Sequence, residues 1–138
     1  MKDIKMDLIG FYMHKGAQNQ LEGEISILSD GTFKGNIFDY GSRPLRKEIK
    51  GHIINDKGIN KLIFLESPEN QNLSNLLYKL ENLDSSQISG NYRGHWEALP
   101  YNIEYNPDCK GFLAQIDNSV VGIGDEAKIF LSPKVSQE

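Results

Sequence analysis

From Ile88 to Trp96 every second residue is either glycine or large and apolar. Ile88, Gly90, Tyr92, Gly94 and Trp96 share one parity, while Ser89, Asn91, Arg93, His95 and Glu97 share the other. Successive side chains of a β-strand point to opposite faces of its sheet, so the first set faces a core and the second faces water. The same rule collects Leu8, Gly10 and Tyr12; Leu21, Gly23, Ile25 and Ile27; Phe33, Gly35 and Ile37; and Ile49, Gly51 and Ile53. In each of these strands a glycine stands among the inward residues. Glycine weakens a flat strand, so its recurrence on the concave side points to strongly coiled strands in a small closed barrel, or to close approach of backbone and ligand.

Turn chemistry divides the chain into hairpins. Asp30-Gly31 separates 21–29 from 32–40, Asp56-Lys57-Gly58 separates 48–55 from 61–66, and Asp84-Ser85-Ser86 separates 76–83 from 87–97. Such dipeptides tolerate the positive φ that tight hairpins require. Met6 to Met13 supplies a strand before these hairpins, and Lys110 to Asp117 and Lys128 to Ser132 supply one or two after. The reading is all-β: a small closed antiparallel up-and-down barrel of eight or nine strands, forming one domain over 1–138. One stretch has a competing pattern, because Leu73, Leu76, Leu77, Leu80 and Leu83 recur at helical spacing behind Ser67-Pro68. Tyr78 and Leu80 continue the inward alternation, which favours a strand over 76–82.

The connections alternate in length. Turns at 30–31, 56–58 and 84–86 are short; linkers at 14–20, 41–46, 67–75 and 100–108 are long. In a meander alternate connections lie at the same end, so one end is pinched and the other is ringed by loops. Ligands of small barrels sit in such a mouth. Tyr12, Asp39, Tyr78 and Trp96 are the inward residues nearest it, with Tyr92 deeper. Glu66 lies on a strand apolar on both faces, which leaves its direction open. Aromatic rings with polar handles, together with one or two carboxylates, suit a small, partly apolar ligand that donates hydrogen bonds or carries positive charge.

Gly10-x-Tyr12, the strand around Ile25 and Ile27, Asp30-Gly31-Thr32-Phe33-x-Gly35-x-Ile37 and Ile88-x-Gly90-x-Tyr92-x-Gly94-x-Trp96 together resemble streptavidin-like and lipocalin-type (calycin-like) barrels. The resemblance spans most of the chain as rhythm and implies architecture. It does not extend to the ligand: those families open with Gly-x-Trp where this chain has Gly10-x-Tyr12, and Trp96 alone cannot rebuild a set of biotin-stacking tryptophans. A lone Cys109 cannot form the disulfide usual in lipocalins, and nothing after His95 can act as the C-terminal histidine of nitrobindin-type haem barrels. No cofactor is expected.

Other chemistry is sparse. His14, His52 and His95 show no metal-ligand spacing, and the last two fall on outward positions. Cys109 reads as a small packed or rim residue rather than a nucleophile. Asp117 to Glu126 lacks the alternating oxygen ligands of a calcium loop and reads as a turn. Asn72-Leu73-Ser74 fits a glycosylation acceptor only with a secretory route. Fifteen basic against nineteen acidic residues, with no basic run longer than Arg46-Lys47, argue against a nucleic-acid partner. Met1 to Gly10 mixes charge with apolar residues and suits neither a signal nor a membrane span, giving a cytoplasmic expectation. Three functions follow in order: a non-catalytic binder of a small molecule; an interaction or oligomerisation module, with a homodimer formed through the outward Ile9, Phe11, Met13, Leu28, Phe38 and Ile54; and a barrel isomerase or hydrolase using Tyr12, Asp39 or Tyr78.

Overall fold

The alternation seen in the sequence closes on itself. In the computed structural model, which describes residues 3–41, 45–68, 75–100 and 111–134, eight antiparallel strands form one closed up-and-down barrel in the order β1 to β8. They are β1 (Ile4–His14), β2 (Ala17–Ile27), β3 (Thr32–Asp39), β4 (Leu45–Asp56), β5 (Ile59–Pro68), β6 (Asn75–Asn82), β7 (Gly90–Leu99) and β8 (Gly122–Pro133), with one helix, α1 (Phe112–Ser119), before β8. Closure comes from β8 pairing with β1, where Leu131 meets Leu8 and Ile129 meets Gly10.

Each inward glycine faces a bulky partner. Gly10 pairs with Ile129, Gly23 with Ile37, Gly35 with Ile25, Gly51 with Phe64 and Gly94 with Leu80. A narrow barrel has room for one large side chain at each such level, so small and large residues alternate around it. The fit leaves no slack: a Cβ on Gly94 would lie 1.9 Å from the Lys79 carbonyl oxygen, and one on Gly51 would lie 2.0 Å from that of Ile63. Around these pairs Met6, Leu8, Leu21, Ile25, Phe33, Ile37, Ile49, Leu62, Phe64, Tyr78, Leu80, Tyr92, Ala127, Ile129 and Leu131 form one buried cluster.

Several expectations need correction. Residues 112–119 are helical rather than a strand, so the strand count is eight. Phe112, Ile116 and Val120 recur every four residues, and they pack with Leu65, Leu77 and Leu99 on the outer wall of β5, β6 and β7. That cover explains why β5 and β6 are apolar on both faces, and why the leucines of β6 also fit a helical period. Residues 117–126 are no simple turn; they span the end of α1 and the start of β8. Nor is 14–20 a linker: Lys15-Gly16, with φ of 52° and 80°, makes a tight turn like Lys57-Gly58, with 53° and 87°. The turn expected at 84–86 is a wider loop, 83–89. Cys109 and Asn72 lie outside the described residues.

The loops sort by end as the meander requires. Residues 28–31, 57–58 and 83–89 gather at one end; Lys15-Gly16 lies at the other, with the ends of β3, β5 and β7 and the starts of β4, β6 and β8. The first end is plugged. Asn60 Nδ2 donates to the Ser86 and Gln87 carbonyls at 3.0 and 2.9 Å, Asn82 Nδ2 donates to those of Gln87 and Ser89, and the Asp84 and Ser85 amides donate to Asn82 Oδ1. Gly94→Ala is expected to lower the unfolding free energy by about 1–3 kcal/mol. Gly122→Ala, whose Cβ would meet nothing nearer than Ala98 Cβ at 3.9 Å, is expected to leave it nearly unchanged. Denaturant unfolding of the two variants measures the contrast.

Candidate functional site

The end opposite the plug breaks the apolar pattern of the interior. Lys47 lies on the inward parity of β4, two residues from Ile49, and points into the barrel. Its neighbours across the strands are Asp39 at the end of β3 and Glu66 on β5, each diagonal to it in register. Diagonal neighbours on one sheet face come within reach of a long side chain. Lys47 Nζ donates to Asp39 Oδ2 at 3.0 Å and forms a second ion pair with Glu66 Oε1. All three are buried, with Glu66 fully enclosed and Asp39 and Lys47 4% and 8% exposed. A gradient runs outward from a sealed floor to a thinly covered upper tier.

Asp39 is held from several sides. Its Oδ2 also accepts from the Tyr12 hydroxyl at 2.6 Å, and its Oδ1 accepts from the Gly41 amide at 2.8 Å. Glu66 is less well served: its Oε2 is buried without a hydrogen-bond partner among the described residues. The Tyr78 hydroxyl is directed at the same carboxylate, yet it reaches good hydrogen-bond geometry with no described group. Tyr78 stacks on Phe64, with ring centroids 4.5 Å apart, and takes the edge of Tyr12 at 6.4 Å. The aromatic core therefore runs continuously into the polar tier.

Trp96 forms the wall beside Tyr12. It sits at a bulge, where Gly124 and Asp125 of β8 stand against this single residue of β7. Its indole lies across Gly124, where a Cβ would come within 2.2 Å of the ring. Nε1 donates to the Met13 carbonyl at 2.7 Å, and the ring packs edge-on against Tyr12 and His14. The missing side chain of Gly124 therefore sets the indole's position.

The expected residues thus divide. Tyr12, Asp39, Tyr78 and Trp96 converge at the end opposite the plug. Tyr92 does not: it is buried toward the plugged end, where its hydroxyl donates to the Ile88 carbonyl at 2.5 Å. Two residues from the start of β7 is the far end of the strand from Trp96, so shared parity does not mean shared height. Glu66 points inward, which the sequence left open. Lys47 escaped the sequence reading, although a charged residue on the parity of Ile49, Gly51 and Ile53 was a visible signal. Among the described residues no three or more His, Cys, Asp or Glu side chains gather as a metal site would require.

The electrostatics favour fixed hydrogen bonding over proton exchange. Burial works to lower the Lys47 ammonium, but Glu66 and then Asp39 outweigh it and hold it above the ordinary lysine value. Burial raises Glu66 against the opposing pull of Lys47. Burial, the bond to Asp39 and the nearby carboxylates push the Tyr12 phenol up, and Tyr78 is raised by burial and by Glu66. In a site this buried a lone charge would be costly, and pairing is what permits Lys47 to stay ionised.

Two concavities, of about 550 and 490 Å³, lie on the outer wall and include none of these residues. The interior below the polar tier is filled by side chains.

The titrations fix an alkaline limit. Burial also drives Tyr92 up, to about 12. For Lys47, Tyr12, Tyr78 and Tyr92 the folded chain retains protons that the unfolded chain releases. The stability they contribute is complete below the ordinary values of 10.0 for tyrosine and 10.5 for lysine, and it is lost as pH rises through the higher folded values. The unfolding free energy is expected to hold level up to the ordinary tyrosine range and then fall. Tyrosinate absorbance of these three should emerge only with loss of the circular dichroism of the sheet; ionisation in the intact fold would contradict this. Gly124→Ala is expected to displace the indole, and a red shift of the Trp96 emission in a folded variant would report it.

Comparison of the chain with protein-family models, with curated proteins and with solved structures finds no match. The likeness to calycin-like barrels is one of architecture: eight antiparallel strands, up-and-down order and closure.

Proposed function

We propose that this protein is a non-catalytic barrel that binds a small molecule at the end opposite the plug, in the layout of streptavidin-like and lipocalin-type proteins. The observation that carries the reading is the buried Asp39, Lys47 and Glu66 set beneath Tyr12 and Trp96. Apolar residues of similar volume would stabilise this position at least as well, so a buried charge cluster here is costly unless it serves recognition. Two carboxylates face one ammonium, and Glu66 Oε2 finds no donor among the described residues. The ligand is therefore a compact molecule bearing a cation or several hydrogen-bond donors, with a flat part that rests on Tyr12 and Trp96. With Lys47 and the two tyrosines held protonated, proton transfer is a poor use of the tier.

The test is a melting-point panel of amines and amides, starting with benzylamine, read together with Trp96 fluorescence. A ligand should raise the melting temperature in proportion to its occupancy of the folded state. Tyr12→Phe should weaken it about tenfold, the equivalent of one hydrogen bond of ~1.4 kcal/mol. A panel without shifts, or equal shifts in Tyr12→Phe, contradicts the proposal.

A second reading rests on the outer wall. Ile9, Tyr40 and Phe130 are 57%, 52% and 41% exposed. Ile9 stands directly beside Phe130 in register, and the Phe38 and Tyr40 rings lie 4.7 Å apart two strands from Ile9, beyond Glu22 of β2. This face of β8, β1, β2 and β3 lies away from α1 and suits a second copy of the chain. Sedimentation velocity should then give a dimer that Ile9→Glu dissociates; a monomer at high concentration contradicts it.

A further inference from the structure

The groove of about 550 Å³ on the outer wall has a regular construction. Its floor is main chain, because Ile25, Gly35 and Ile49 stand side by side in register and the two isoleucines point into the core. One bank carries Lys5, Ser26, Lys34 and Lys50, which form a continuous cross-strand row over β1 to β4. The other carries Glu24, Asn36 and Glu48. Lys134 closes one end through an ion pair with Glu24.

The charges do not cancel. Lys34 and Lys50 are direct cross-strand neighbours, an arrangement that destabilises a sheet. Among the described residues Lys5, Lys34 and Lys50 have no ion pair, although Glu48 stands on the facing bank, and the chain as a whole carries −4. Strands lie about 4.8 Å apart, so an oxyanion bridging Lys34 and Lys50 fits between them, and Lys5 stands roughly 10 Å from Lys34, two strands away.

We infer that this groove binds a small phosphate-bearing molecule, with one oxyanion between Lys34 and Lys50 and a second negative group toward Lys5. Ser26 and Asn36 supply neutral hydrogen bonds beside it, and Glu48 on the facing bank limits the groove to a ligand whose charge is concentrated at the lysine side. The site is on the opposite side of the barrel wall from the tier of Asp39, Lys47 and Glu66, and does not depend on the reading of that tier.

The test is titration of the isotope-labelled full chain with inorganic pyrophosphate, followed by amide shifts at low and at physiological salt. Saturable shifts confined to Ser26, Lys34, Gly35 and Lys50 are expected. Lys50→Gln should weaken binding about tenfold or more, as loss of a charged hydrogen bond does, while melting no lower than the parent because the Lys34 repulsion is gone. Shifts spread evenly over exposed lysines such as Lys15 and Lys57, or equal binding by Lys50→Gln, would overturn the inference. A single-stranded oligonucleotide that binds this face more tightly than pyrophosphate would overturn it in favour of a nucleic-acid partner.

Discussion

A narrow closed barrel accommodates one large inward side chain at each level, and the rest of this molecule follows from that steric limit. Glycine opposite isoleucine, leucine or phenylalanine is the solution used at five residue pairs on four strand pairs. The close approach of backbone at those glycines draws the sheet into a small cylinder, which in turn leaves little room for water inside. A charged side chain on the inward parity must then find its counter-charge within the barrel. Lys47 does so with two carboxylates from the strands on either side of its own.

The two ends answer different demands. At the plugged end every polar group serves closure: Asn60 and Asn82 gather the 83–89 loop, and Tyr92 caps the core beneath it. At the opposite end the polar groups exceed what closure requires. Asp39 is saturated with donors, while Glu66 Oε2 and the Tyr78 hydroxyl are buried without a proper partner among the described residues. Burying such groups costs stability unless they are satisfied. The same aromatic column joins both ends, so a change in the polar tier is felt through Tyr78 and Phe64 in the core.

Much of this was legible in the alternation of the sequence, because a period of two is imposed by strand geometry itself and survives any choice of turn. The barrel, and the gathering of Tyr12, Asp39, Tyr78 and Trp96 at one of its ends, followed from parity and loop length. What escaped had physical causes. Lys15-Gly16 is the same dipeptide as Lys57-Gly58, but polar residues on both sides of it hid the strands it joins. The helix at 112–119 is short, and its three outward-wall contacts Phe112, Ile116 and Val120 are too few to stand out. Lys47 went unnoticed because a lysine usually reads as solvated; only its parity betrayed it. Tyr92 shared a face with Trp96 but not a height, and parity carries no information about height along the axis.

If the Asp39, Lys47 and Glu66 set serves recognition rather than folding, the barrel can dispense with it. The direct measurement is the unfolding free energy of two proteins, Lys47→Met alone and Lys47→Met combined with Asp39→Asn and Glu66→Leu. Removing only the lysine should cost about 3–5 kcal/mol, since two buried carboxylates lose their partner. The triple variant should regain the parent's stability or exceed it while losing the melting response to amines. A triple variant as unstable as the single one would mean that the charges hold the barrel together, and would contradict the central claim.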